Sequence, residues 1–485
     1  MNSNRISRLS ALICAAVAAG LCGPAGGDVV TEWNAMFQET IRQVGGFPCP
    51  ISRAGAMLFT SMYDAVNSVT PTHEPYLQNV PCPPGTSAEA AAATAAHKIL
   101  STVYTNPIQT SQYNALLASQ LAAIPDGPDK EAGIALGLAC ASQCIVARTG
   151  DGSTNNTPYV LGGNPGDWAP TFPDYTGPAS PNWPLVTPWC MTSGDQFRLP
   201  GPAGYTSMAE LLASPEYAEQ YNEVKELGAL FSKTRTEYET ETALFWANDR
   251  NGTFKPPGHL LYMTQAIGEN QGNTLYDNAR LLALVALGMA DAGIAAWDCK
   301  YSTDIDLWRP ITAIWNGDSD GNPATQGDPD WYGLSYDRSI LVFTPPFPAW
   351  VSGHATFGAV TSAVIHNFYH TDNLTFTITS DDTPGVYRTY DSLDFAAKEN
   401  GRSRIFLGVH YSWDADDGYT IGTNLGNYIG ANFLRRVGDL NGDDVVDGAD
   451  LGILLASWGG TGNGDLNRDG TVDGADLGLL LSVWG

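Results

Sequence analysis

Positive charge is what this chain has least of: Lys and Arg number 24 against 51 Asp and Glu, for a formal net charge of -27. Nucleic acid rewards basic faces, so a nucleic-acid partner is excluded. Long apolar runs are also scarce. The leader-like stretch at residues 1–27 has Arg5 and Arg8, an apolar run from Leu9 to Leu21, then small residues through Gly27. That is the pattern of a secretory signal peptide and predicts a secreted or cell-surface protein. Beyond it, the apolar stretch Leu281 to Trp297 is broken by Asp291, so no membrane span is expected. Cysteine is sparse too. Cys14 and Cys22 fall in the leader, leaving Cys49, Cys82, Cys140, Cys144, Cys190 and Cys299 without zinc-finger spacing. In an exported chain this even number allows disulfides in any of 15 pairings. Cys49 with Cys82 is the pairing expected, and buried free thiols are the equal alternative.

What is present is enough apolar residue, 43% of 485, to bury one large core and a small module besides. Apolar residues at helical intervals run through Val29 to Val44, Ile51 to Val69, Ser87 to Tyr104, Ser111 to Ile124 and Asp129 to Arg148. Residues 149–206 are rich in Gly, Pro, Asn and Trp and read as a long wrap. Helices resume at Pro215 to Phe231, Glu237 to Trp246, Thr274 to Tyr301, Ala355 to Phe368, Asp394 to Leu407 and Asp416 to Arg436. Thr375 to Ile378 and Val386 to Tyr390 read as a small hairpin. The fold class is therefore mainly α, with a main domain over 28–436 and a module over 437–485.

Three clusters carry chemistry. The first is Phe347-Pro-Ala-Trp-Val-Ser352-Gly353-His354, the second Ser403-Arg404 with His410 and Asp414, and the third Lys300 with Trp308-Arg309-Pro310. Together they supply what a small oxyanion demands. Arg404 offers a charged planar fork, and Lys300 and Arg309 add further cations. Ser352 and Gly353 stand where the helix from Ala355 would begin, a place that favours anions. His354 is suited to proton transfer near neutral pH. His410 offers a ring nitrogen to the anion's central atom, with Asp414 holding its other nitrogen.

In this order the clusters resemble the signature of the type 2 phosphatidic acid phosphatase and vanadium haloperoxidase superfamily. Thr344-Pro-Pro-Phe-Pro-Ala-Trp and Trp308-Arg-Pro-Ile-Thr-Ala-Ile are similar to its haloperoxidase branch. The resemblance implies a helical-bundle domain binding vanadate through Lys300, Arg309, Ser352, Gly353, Arg404 and His410. Phe347 would then stand on the halide side, with His354, His410 and Asp414 catalytic. The implied reaction oxidises halide with hydrogen peroxide to hypohalous acid, which meets a small organic acceptor. A phosphohydrolase using His410 as nucleophile needs the same pocket and remains the alternative. Eight residues separate Lys300 from Arg309 where the family usually has six, so Lys300 either bulges into place or falls short. Val351 stands where proline is usual.

The tail repeats itself. Asp439, Asn441, Asp443, Val445, Asp447 and Asp450 recur as Asp465, Asn467, Asp469, Thr471, Asp473 and Asp476. Oxygen ligands at positions 1, 3, 5, 7, 9 and 12 are what a calcium loop requires, with Val445 and Thr471 giving their carbonyls. An apolar helix follows each loop. This duplicated unit resembles a type I dockerin, which implies calcium-dependent folding and a cohesin-like protein partner. An oligomer is compatible with this sequence.

Overall fold

The computed structural model describes residues 27–336, 343–443, 445–467 and 469–485. The leader expected over 1–27, with Cys14 and Cys22, lies outside them apart from its last residue. The N-terminal helices are α1 (Val29–Val44), α2 (Pro48–Val69), α3 (Ala88–Val103), α4 (Pro107–Ala123) and α5 (Pro128–Ala147). Local chemistry sets their starts. Asp28 Oδ1 accepts from Thr31 N at 2.9 Å, Ser87 caps α3, and proline opens α2, α4 and α5.

After the 148–207 wrap come α6 (Met208–Ala213), α7 (Pro215–Leu227), α8 (Glu237–Phe245), α9 (Lys255–Gln271), α10 (Leu275–Tyr301) and α11 (Pro310–Trp315). Next are α12 (Gly353–Tyr369), strands β1 (Phe376–Thr379) and β2 (Tyr387–Tyr390), α13 (Leu393–Phe406) and α14 (Ser412–Asn432). The strands pair antiparallel with Phe376 opposite Tyr390. Two differences from the sequence reading are informative. Helix α9 was hidden by its Lys255-Pro-Pro-Gly start, whose prolines sit harmlessly in the first turn. Helix α14 begins at Ser412, before Asp416, because Asp414 caps it from within the first turn.

Helix α10 is the axis of the bundle. Its side chains are buried continuously from Leu281 to Lys300, as expected of a helix that is apolar on all faces. Asp291 interrupts its apolar run without breaking the helix, which is continuous as expected. Its carboxylate is fully buried and accepts from Trp189, Cys190 and Met191 N, each at 2.7 Å. By length and composition α10 and α5 would each reach across a bilayer, and α10 instead lies inside the protein.

Helix α14 packs on α12 through glycines four apart. A Cβ at Gly418 would sit 2.8 Å from the Ser352 carbonyl, and one at Gly426 would sit 2.6 Å from Ala363 Cβ. This close approach brings the N-terminal ends of the two helices together, where Ser352 N donates to Asp414 O at 2.8 Å.

None of the six described cysteines is bridged in this structure, which corrects the expected Cys49 to Cys82 pairing. Cys49 begins α2 and faces the Gly293 carbonyl, whereas Cys82 rests on the Ser68 carbonyl at the far end of the same helix. Nineteen residues of helix put these contacts roughly 28 Å apart, beyond the reach of any disulfide.

The tail forms α15 (Gly448–Ala456) and α16 (Gly474–Ser482), each capped by the aspartate before it. Val446, Leu454, Val472 and Leu480 make a small apolar core of their own, distinct from the main one.

Candidate active site

The ends of five elements meet at one small cavity, lined by Phe347, Gly353, His354, Arg404 and His410 among the residues expected from sequence. Arg404 is in the last turn of α13. Gly408 then adopts φ of +82°, and a Cβ there would lie 2.7 Å from the Gly228 carbonyl, so only glycine makes this turn. The turn delivers His410. Asp414, in the first turn of α14, accepts from His410 Nδ1 at 2.8 Å and from Tyr411 N at 3.0 Å. That bond keeps the proton on Nδ1 and leaves the Nε2 lone pair free to accept from Arg309 Nη1, 3.0 Å away. Arg309 is itself the N-cap residue of α11. Its Nε donates to the Phe347 carbonyl at 2.7 Å and Nη1 also to the Val409 carbonyl at 2.8 Å.

On the facing wall Ser352 caps α12 and is fully buried behind Gly353. His354 Nε2 donates to the Ala247 carbonyl at 3.1 Å, and its own carbonyl accepts from Asn400 Nδ2 at 3.0 Å. Phe347 packs on Trp297, with ring centroids 4.7 Å apart.

Lys300 does not line the cavity. Its Nζ donates to the carbonyls of Pro348, Ala349 and Val351 at 2.5–3.0 Å, so all three of its protons are taken. The long spacing from Arg309 is thus resolved with Lys300 as a strut under the Phe347 to Ser352 segment, and its ammonium lies 4.9 Å from the Phe347 ring centroid. Replacing Lys300 by methionine would strand three buried carbonyls, and roughly 3 kcal/mol of stability should be lost. The thermal unfolding midpoint is the measurement, and an unchanged midpoint would contradict the strut role.

Asp249 is the residue that sequence reasoning missed. It lies just past α8 and lines the cavity, with Oδ2 2.6 Å from Arg404 Nη2 and 3.8 Å from His354 Nε2. Its own carbonyl accepts from the buried Lys255 ammonium. No spacing pattern marks Asp249. The one available signal was the need of a buried arginine for a counter-charge. Trp297 and Pro345, from the clusters read in the sequence, complete the lining with Pro48, Pro256 and Phe357, which were not expected.

The electrostatics are those of a pocket short of negative charge. Burial, and then Arg404, push His354 down to about 4. Burial, followed by Arg309 and Lys300, holds His410 well below the usual imidazole value. Burial lowers Arg309 to about 9, and burial followed by Arg309 depresses Lys300. Burial raises Asp414 to about 7. Both cavity histidines are therefore neutral at pH 7, held so largely by desolvation and surrounding cations.

Arg309 Nη2 and Arg404 Nε and Nη1 are buried without hydrogen-bond partners. Three such donors are costly unless an acceptor comes to them. These donors, with the His410 Nε2 lone pair for a central atom, suit a small tetrahedral or trigonal oxyanion.

Residues 280–438 match the family model of the VCPO second helical-bundle domain. The chain also superposes on a bacterial vanadium-dependent iodoperoxidase structure with a TM-score of 0.70, at 22% identity over 83% of this chain and 95% of that one. Its fold is that of the vanadium haloperoxidases. A bacterial vanadium-dependent chloroperoxidase in its holo form is similar at a TM-score of 0.63, with 16% identity over 80% of this chain and 93% of that one. The vanadium chloroperoxidase of Curvularia inaequalis is 28% identical over 490 residues, covering 80% of this chain and 79% of its own. Within this haloperoxidase fold, the unpartnered guanidinium donors and the His410 nitrogen fit a vanadate ion.

The tail residues expected to bind calcium do not converge in this way. Among the described residues no three acidic, histidine or cysteine side chains form a metal cluster. Instead Asp450 accepts from Leu440, Asn441 and Asp447 N, and Asp476 accepts from Asn467 and Asp473 N. Asn441 Nδ2 and Asn467 Nδ2 donate to Asp443 and Asp469, each at 2.8 Å.

Proposed function

We propose that this chain is a vanadium-dependent haloperoxidase that oxidises halide with hydrogen peroxide. The reading is carried by three buried guanidinium nitrogens without partners, on Arg309 and Arg404, beside a cavity that Arg404 and His410 both line. Arg309 and Arg404 would hold the oxygens of vanadate and His410 its central atom. Bound vanadate supplies a Lewis acid that activates peroxide toward halide. Neutral His354, fixed by the Ala247 carbonyl, takes and returns the proton that peroxide must lose. Trp297 and Phe347 wall the cavity with aromatic surface, excluding water from the halide side.

The purified protein, given orthovanadate, peroxide, halide and an organic acceptor, is expected to turn over only with vanadate present. Hydrolysis of a phosphate ester without haloperoxidase turnover would replace this reading with the phosphohydrolase. Turnover in neither assay would remove the enzymatic reading.

The same proposal assigns the chain to the cell exterior through its leader and gives the tail a docking role resembling that of type I dockerins. Calcium held by Asp439, Asn441, Asp443, Val445, Asp447 and Asp450, and by their counterparts from Asp465 to Asp476, would draw each loop together. A cohesin-like protein is the partner that the resemblance implies. Two facts support a separate module: the tail's own apolar core and the buried carboxylates of Asp450 and Asp476, which have no basic partner among the described residues. Chelation with EGTA is expected to make the tail susceptible to proteolysis while haloperoxidase turnover persists. A tail equally resistant with and without calcium would remove the metal from the proposal.

A further inference from the structure

We propose that Cys82 and Cys140 are joined by a disulfide in the exported protein. Their thiols meet at a single residue, Ser68, near the C-terminal end of α2. Cys82 Sγ donates to the Ser68 carbonyl at 3.5 Å, and Ser68 Oγ accepts from Val80 N at 2.9 Å, pinning the chain just upstream. Cys140, on α5 where that helix packs against α2, lies with its thiol against the Ser68 hydroxyl and within electrostatic reach of Cys82. The other described thiols are placed differently. Cys49 faces Gly293, Cys144 donates to Met57 O at 3.7 Å, Cys190 is beside Asp291, and Cys299 is beside Asp298.

The bond would complete an attachment already begun. Asp64 accepts from Tyr76 N at 2.7 Å and Leu77 N at 3.0 Å, so the segment between α2 and α3 is already strapped over the end of α2. A link from Cys82 to Cys140 adds α5 to that strap and closes a long loop, the case in which a cross-link constrains the unfolded chain most.

Cys82 is half-buried and Cys140 is only 2% exposed, so a disulfide reagent reaches Cys82 first. The Cys82 thiolate attacks one sulfur of the reagent and releases its first thiol. The Cys140 thiolate then attacks Cys82 Sγ and releases the second. The two cysteines lose two protons and two electrons, and the reagent's disulfide leaves as two thiols. In the cell an exported thiol–disulfide oxidoreductase would be that reagent. The inference depends on export only for this choice, and the test supplies its own oxidant.

The chain without its leader (residues 28–485), reduced and then incubated natively with oxidised glutathione, should give one cross-linked peptide pair containing Cys82 and Cys140 on non-reducing mass mapping. The other four thiols should remain alkylatable. Six alkylatable thiols, or Cys82 linked to a different cysteine, would overturn the assignment whatever the enzyme's activity. Reduction should lower the melting temperature of the oxidised protein by ~5 °C and leave that of Cys82→Ser unchanged. An equal shift in the variant would also overturn it.

Discussion

Replacing His410 by alanine is expected to lower vanadate-dependent halide oxidation by at least about three orders of magnitude, to the level of free vanadate in solution. His410 presents an unprotonated and oriented Nε2 lone pair, because Asp414 holds the proton on Nδ1 at 2.8 Å. Alanine removes the nitrogen and leaves the Asp414 carboxyl without its imidazole, while the Tyr411 amide still donates to it. The fold should survive, since His410 follows a glycine turn and is not part of a helix interior. Equilibrium dialysis against vanadate separates the two ways the variant could fail. Lost binding and lost turnover together support the anchoring role, whereas turnover near that of the parent protein would remove His410 from the mechanism.

Replacing Arg404 by lysine is the second large effect. Arg404 spends Nη2 on Asp249 and holds Nε and Nη1 unpartnered in the cavity wall. Lysine can keep the ion pair with Asp249 but cannot hold a planar fork toward two oxygens at the same time. The expected loss in kcat/KM is about 10²-fold, with little change in melting temperature. Alanine at the same position should behave differently. It leaves Asp249 facing the cavity without its partner and so costs stability as well as activity. If Arg404→Lys retained full kcat/KM, the unpartnered nitrogens would have no part in holding the anion.

Much of the site is legible in the amino-acid sequence because its chemistry lies in short, contiguous clusters. Ser352-Gly353-His354 announces a helix start, and the spacing from Arg404 to His410 to Asp414 fits a helix end, a turn and a new helix. Apolar periodicity places α1 and α10 within a residue of their ends. What stays hidden depends on contacts between distant segments. The direction of Lys300 Nζ follows from where the carbonyls of 348, 349 and 351 lie, and no spacing rule holds that information. Asp249 sits in a loop with no periodicity, and its role exists only once α8 and α13 are neighbours. The thiol pairing is hidden for the same reason. Cys49 and Cys82 are close in sequence but separated by a straight helix, whereas Cys140 reaches Ser68 because α5 folds back over α2.

The placement of Asp249 also bears on how the molecule is partitioned. Lys300, Arg309, Arg404 and His410 all fall within residues 280–438, whereas Asp249 and the prolines at 48 and 256 come from earlier in the chain. Electroneutrality is thus shared between two halves of the polypeptide. Cut free, the C-terminal half would keep its cations while losing the acid that pairs with Arg404 and part of the rim that keeps water out.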